Sequence, residues 1–300
     1  MADAEADEIM AKAEKKLKGG LFGNMFGGNK KDDAVELFQD AANKYKQVKK
    51  WNQCGEAHKR AAEIQVEQKD LLGAASSFQA AFQAFKKDDS CVAVAVECLT
   101  QAINLHLNNG RFSQAAKFHK EAGELFEAEM NYSKAIEHYQ QGGDFYKGED
   151  QTSSANQCFL KVALLSAEVE DYKRAVEVYE SVISASLDVA LLKWGVKDHM
   201  FMAGLCHIAA AFVRQGETVE VDPVTPKRAL ERYKDLDASF TDTRECTLLD
   251  AIAESLDTMD VEAFTNAVFE YDQICKLDKF KTSLLLRIKT NLKDAAESVC

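Results

Sequence analysis

The chain has 300 residues, 37 Lys plus Arg against 49 Asp plus Glu, a net charge of −12 and only two prolines. At 46% hydrophobic and 29% charged it is too apolar for a disordered chain and ordinary for a soluble globular protein. The acidic balance excludes a general nucleic-acid binder, whose affinity comes from Lys and Arg neutralising phosphates. Three hundred residues exceed the usual single domain, so two domains or an elongated repeat array is expected.

Taken in chain order, the pattern predicts a helix over 3–18 and a glycine-rich loop over 19–30. Helices then begin near 32, 50, 70, 90, 111, 131, 151, 171 and 190, the last reaching about 215. A loop holding both prolines spans 216–226. Four shorter helices follow, at 226–236, 241–257, 260–276 and 279–297. The turn signals Asn108-Asn109-Gly110, Lys147-Gly148-Glu149-Asp150 and Glu170-Asp171 fall between the predicted helices.

These helices are copies of one unit. Phe112-Ser113-Gln114-Ala115-Ala116, Tyr132-Ser133-Lys134-Ala135-Ile136 and Tyr172-Lys173-Arg174-Ala175-Val176 start 20 and 40 residues apart. One phase of period 20 reads Gly55, Ala75, Ala95, Ala115, Ala135, Ala155, Ala175, Gly195. Given the Ala and Gly content, eight such residues in a row arise by chance at ~10⁻⁵ over all twenty phases, so this is a repeat. A unit of that length holds one helix of about 16–17 residues and a short turn. The small residue lets the neighbouring helix approach closely, and the aromatic three positions earlier covers the contact. Antiparallel helices then pair and stack. The expected fold is all-α: a tetratricopeptide-like solenoid of antiparallel helix hairpins with a C-terminal helical bundle. The phase is lost after Gly195, so the expected domains are 1–30 (helix and loop), 31–216 (solenoid) and 217–300 (bundle).

The sequence lacks the marks of a reaction centre. Gly23 and Gly28 are spaced like a Walker loop, but Asn29 stands where Lys is required and no strand precedes. The six histidines, at 58, 106, 119, 138, 199 and 207, show no HExxH or i,i+4 pair, and the eight cysteines form no CxxC. No catalytic residue, metal site or cofactor is expected, and the chain reads as a binding protein. Its start lacks the basic end and apolar core of a signal peptide. No apolar run approaches the ~20 residues of a bilayer span. The expected location is cytoplasmic, with any membrane contact peripheral.

Three features carry binding information. First, Leu21, Phe22, Met25 and Phe26 sit among glycines and are flanked by Lys15, Lys16, Lys18, Lys30 and Lys31. Apolar side chains ringed by lysine suit an anionic membrane surface, where each lysine adds ~1 kcal/mol. Second, Lys49, Lys50, Lys86, Lys87, Arg111, Lys117, Lys161, Lys193 and Lys197 recur along the repeat of an acidic chain. On a solenoid face they would attract an elongated acidic partner such as a helical bundle. Third, residues 217–260 carry 12 acidic against 5 basic residues, −7 of the total −12. That block suits a second, basic partner. The plainer alternatives are a loop folded back on the first helices, a mixed solvated face, and charge serving solubility alone.

The strings Gly110-Arg111-Phe112 with Ala115-Ala116-Lys117, Asp144-Phe145-Tyr146-Lys147-Gly148-Glu149, Ser153-Ser154-Ala155-Asn156 and Leu284-Leu285-Leu286-Arg287-Ile288-Lys289 resemble the soluble NSF attachment proteins, the alpha/beta type matching best. NSF is the N-ethylmaleimide-sensitive factor. The resemblance covers essentially the whole chain. It implies an adaptor, not an enzyme, with a right-handed twist to the hairpin stack. Such an adaptor coats the SNARE four-helix bundle, of syntaxin and synaptobrevin type, and recruits and stimulates the hexameric ATPase NSF, which then pulls the complex apart for further vesicle fusion. The resemblance places SNARE contacts on Arg111, Lys117 and Lys197, with Lys161 a neighbour. One family lysine falls on Gln157. It places the membrane loop on Leu21, Phe22, Met25 and Phe26, and ATPase contacts on Glu254, Asp257 and Val299. Thr258 stands where the family has an acid, and Val299 where it has leucine. The alternative is a generic tetratricopeptide-like scaffold for another helix or peptide.

Overall fold

The computed structural model describes residues 2–18, 30–216 and 218–299. Fifteen helices lie among them. The first ten are α1 (Ala2–Lys18), α2 (Lys30–Gln47), α3 (Trp51–Glu67), α4 (Leu71–Phe85), α5 (Val92–Asn108), α6 (Phe112–Ala128), α7 (Tyr132–Gly148), α8 (Thr152–Glu168), α9 (Tyr172–Leu187) and α10 (Val196–Ala210). The remainder are α11 (Val224–Leu236), α12 (Ala238–Thr241), α13 (Arg244–Asp257), α14 (Val261–Ile274) and α15 (Lys279–Val299). The protein is all-α, built of helix hairpins and a C-terminal group of helices.

The small-residue phase has a direct structural cause. The N–H groups of Ala115, Ala135, Ala155 and Ala175 donate to the carbonyls of Arg111, Asn131, Gln151 and Asp171, at 3.0–3.1 Å. Each of these alanines therefore closes the first turn of its helix. Ala75, Ala95, Ala115, Ala135, Ala155 and Ala175 are all buried. Gly195 breaks the series, lying partly exposed in a 3₁₀ turn, Lys193–Gly195, ahead of α10.

A second periodic device ends the helices. Lys49, Lys69, Gly110, Met130, Asp150 and Glu170 all have positive φ, between 55° and 65°. The N–H three positions past the helix, just after the positive-φ residue, reaches back to a carbonyl five residues earlier: Asp70 to Gln65 at 2.9 Å, Asn131 to Phe126 at 2.8 Å, Asp171 to Ser166 at 2.8 Å. This is the Schellman closure, which satisfies carbonyls that the helix leaves unpaired. Asp70 and Asp171 then cap the next helix, accepting from the N–H of Gly73 and Arg174.

The chain packs as two compact units, one of residues 1–125 with 144–150, the other of 126–143 with 151–300. In the first, α1 to α5 pack each on the next. Phe78, Phe82, Phe85, Leu99, Ile103 and Phe118 form its largest core, with alanines filling the close contacts. In the second unit one core runs from Ala163 to Leu292. Its centre is α10, whose buried residues point in all directions: Val196, Met200, Phe201, Leu205, Cys206 and Ile208. It contacts α9, α11, α13 and α15.

The stretch after α10 departs from expectation. The helix stops at Ala210, and strands β1 (Phe212–Gln215) and β2 (Thr218–Val221) pair antiparallel, Phe212 opposite Val221. Val213, Val219 and Val221 favour extended backbone, and Gly216 takes φ +63° at the turn, as two-residue hairpin turns require. The helix expected over 241–257 begins at Arg244, and the short helix α12 precedes it. Thr243 separates them and caps α13 by accepting from the Cys246 N–H at 3.1 Å.

Candidate functional site

The sequence-predicted binding residues lie on three sets of elements. In the first unit, Arg111 follows Gly110 in the α5–α6 connection. Its N–H donates to the His106 carbonyl at 2.9 Å and its carbonyl receives the Ala115 N–H at 3.1 Å. The backbone is thereby held while the guanidinium stays exposed. Lys117 projects from α6, also exposed. Among the described residues neither has an ion-pair partner. Phe112 stacks on Phe145 with centroids 6.0 Å apart, and His119 lies 5.7 Å from the same ring, which anchors this end of α6. Lys117 and Lys86 both act on the Glu121 carboxyl, whose pKa burial raises and whose oxygen accepts from Gln83 at 2.7 Å. Lys87 sits 4.1 Å from the Trp51 ring centroid and Lys86 5.7 Å from that of Phe82, so both ammonium groups are placed by cation–π contact.

In the second unit, Lys161 on α8 is not a free charge. Its ammonium donates to both oxygens of Glu127, at 2.7 and 3.0 Å, and Tyr139 Oη donates to Glu127 at 2.7 Å. Gln157, one turn earlier, is exposed. Lys197 lies half-buried in the first turn of α10. Bonds from Ser239 hold the Asp237 carboxyl below the usual carboxylate range, and Lys197 and Lys193 add to that effect. Beside them Trp194 is 89% exposed and Leu191 84%. Sequence reasoning missed this apolar pair. Leu191-Leu192-Lys193-Trp194 reads as helical core, and only the 3₁₀ turn carries it out to solvent.

Glu254 and Asp257 are exposed on α13. Both accept from one ammonium, Lys227 of α11, at 2.8 and 2.7 Å. The bond to Asp257 and then that to Glu254 raise the Lys227 pKa. Three groups therefore present a net charge near −1. Thr258 donates its hydroxyl to the Glu254 carbonyl at 3.0 Å. Val299 is the last residue of α15.

The expected membrane residues Leu21, Phe22, Met25 and Phe26 lie outside the described residues. Of their basic flanks, Lys16 pairs with Asp33 and Lys31 with Glu67 at 2.9 Å, while Lys15 is exposed. Among the described residues no group of three His, Cys, Asp or Glu is placed to hold a metal ion. No helix among them is long and apolar enough to cross a membrane.

What these elements define is a helical-hairpin protein with exposed basic residues at the start of α6 and exposed acidic residues on α13. The family description "Soluble NSF attachment protein, SNAP" matches residues 4–293. The alpha-soluble NSF attachment protein of Mus musculus is 39% identical over 300 residues, covering 99% of this chain and 97% of that protein. The protein of the same name from Dictyostelium discoideum is 44% identical over 299 residues, covering 99% of each. A probable vesicular-fusion protein sec17 homolog of Schizosaccharomyces pombe is 37% identical over 298 residues, also covering 99% of each. The chain belongs to the soluble NSF attachment protein family.

Proposed function

We propose that this chain is the adaptor that binds assembled SNARE complexes and delivers them to the ATPase NSF for disassembly in vesicle fusion. The observation that carries the reading is the end-to-end match, residues 4–293, to a family named for NSF attachment. The chain performs no reaction itself; the ATPase supplies the energy. Arg111, Lys117, Lys161 and Lys197 meet the acidic surface of a syntaxin–synaptobrevin type four-helix bundle. Arg111 and Lys117, which have no ion-pair partner among the described residues, provide the long-range attraction, since an uncompensated surface charge steers an opposite one. Trp194 and Leu191 add apolar contact beside Lys197. Glu254, Asp257 and the Val299 end of α15 meet the hexameric ATPase. Leu21, Phe22, Met25 and Phe26 enter the membrane surface, so the protein works in the cytoplasm, peripherally attached. Segments 1–30, 31–216 and 217–300 thus serve membrane, SNARE and ATPase respectively.

The test is disassembly of a preformed SNARE complex by NSF and ATP, with and without the chain. Requirement for the chain supports the adaptor reading, and Lys117→Glu should then weaken SNARE binding while leaving the fold intact. Glu254→Lys with Asp257→Lys should spare SNARE binding and lower ATPase stimulation. Phe22→Ser with Phe26→Ser should slow disassembly on liposomes and spare the soluble reaction. A generic tetratricopeptide-like scaffold predicts no stimulation of the ATPase at all, and that outcome would retire the proposal.

A further inference from the structure

Lys117 and Lys161 are both basic, yet they stand in different electrostatic states. Lys117 has no ion-pair partner among the described residues. Lys161 is bound bidentately by Glu127, at 2.7 and 3.0 Å. Glu127 belongs to α6, Lys161 to α8, and the Tyr139 hydroxyl that also holds Glu127 belongs to α7. Tyr139 is fully buried, so it fixes the carboxylate from beneath. The pair itself remains reachable: the Lys161 side chain is 41% exposed and that of Glu127 27%.

We infer that Glu127 is an electrostatic brake on Lys161 that sets how acidic a partner must be to engage this surface. The inference rests on the reading that Lys161 faces the SNARE bundle. A carboxylate arriving from a partner meets a Lys–Glu pair of zero net charge and is repelled by Glu127 as much as it is attracted by Lys161. Lys161 must exchange Glu127 for the partner. After the exchange Glu127 keeps the Tyr139 hydrogen bond, so its charge is not stranded without a donor. A neutral surface cannot repay the broken pair, whereas one with clustered carboxylates can. Glu127 therefore lowers affinity for every partner and lowers it most for weakly acidic ones, which is discrimination by a repulsive element. Gln with its oxygen at the Oε2 position keeps an acceptor for Tyr139 and for Lys161, and it removes the charge and the second acceptor that Oε1 gives Lys161.

The experiment measures binding of the full chain to a soluble, preformed SNARE four-helix bundle at low and high salt. Wild type is compared with Glu127→Gln, Lys161→Ala, the double variant and Lys117→Glu, with far-UV circular dichroism to check folding. Glu127→Gln is expected to tighten binding by about two- to fivefold, the range of a partly exposed ion pair. The gain should shrink at high salt. The part of it that comes from freeing Lys161 should be lost in the Lys161→Ala background, leaving only the direct repulsion by Glu127, so the gain there is smaller. Should Glu127→Gln fail to fold, Glu127→Asp withdraws the carboxylate by one methylene and should give a smaller gain. Unchanged or weaker binding in Glu127→Gln overturns the brake and leaves the SNARE-facing reading standing if Lys117→Glu still loses affinity. If Lys161→Ala binds as wild type does, Lys161 is not a contact and the brake falls with it. If Lys117→Glu is also without effect, the basic-surface reading itself is lost.

Discussion

Gly55→Ala is a small change with a calculable cost. Gly55 is the first residue of the period-20 phase and lies buried on α3. A Cβ there would sit 2.6 Å from Cδ1 and Cε1 of Phe85 and 2.7 Å from its Cζ, where ordinary contact needs at least 3.4 Å. The ring would have to retreat by about 1 Å, and a well-packed core yields little. Phe85 is only 1% exposed, in the core of α4. Overpacking of this kind costs about 2–3 kcal/mol. Replacing a mid-helix glycine by alanine returns about 1 kcal/mol of helix propensity. The net loss is about 1–2 kcal/mol, which lowers a melting temperature by roughly 2–4 °C per kcal/mol in a domain of this size. Urea unfolding followed by Trp51 fluorescence reads this unit directly, because Trp51 opens the same helix and has the Lys87 ammonium 4.1 Å from its ring centroid. Adding Phe85→Leu to Gly55→Ala should recover part of the loss by vacating the ring volume. A midpoint equal to or above wild type in Gly55→Ala alone would refute the claim that the small-residue phase exists for close helix approach.

Met130→Gly should act in the opposite direction. Met130 holds φ 55° and is 76% exposed, so its side chain contributes little while its Cβ opposes the left-handed backbone. Glycine should raise stability by about 0.5–1 kcal/mol in calorimetry, and a loss would show that the turn tolerates Met without strain. His58 gives a pH prediction: burial, with the nearby charge of Lys46, depresses its pKa from 6.5 to about 4. Because the folded value lies below the unfolded one, the unfolded chain binds more protons between them. Stability supplied by neutral His58 is full above about 6.5 and is lost as pH falls towards about 4. His58→Gln should flatten the stability profile across that interval; an unaltered slope would assign the acid sensitivity to other groups.

Much of this architecture is written locally. Ala115, Ala135, Ala155 and Ala175 mark helix starts because each donates the first bond of its helix to a carbonyl four residues earlier. A short-range requirement leaves a short-range trace. The turn at Gly110 was legible for the same reason. So was the turn at Glu170-Asp171, but those at Lys49, Lys69 and Met130 were not, since these residues do not favour that backbone; the Schellman bonds on either side impose it. The β1–β2 hairpin was also hidden, although alternating valines and Gly216 were present, because the apolar helix ahead of it offered no stop signal.

The same division runs through the binding surfaces. Sequence alone determined the helical period, the acidic character of the C-terminal block and the residue types that resemble the family's contacts. It could not determine their charge state as surfaces. Among the described residues Arg111 and Lys117 have no ion-pair partner, Lys161 is neutralised by a residue 34 positions away, and Glu254 and Asp257 share one lysine. A Coulomb interaction depends on distance in space, so only the folded contacts of Glu127 with Tyr139 and Lys161, and the approach of Lys227 to Glu254 and Asp257, decide which charges remain available.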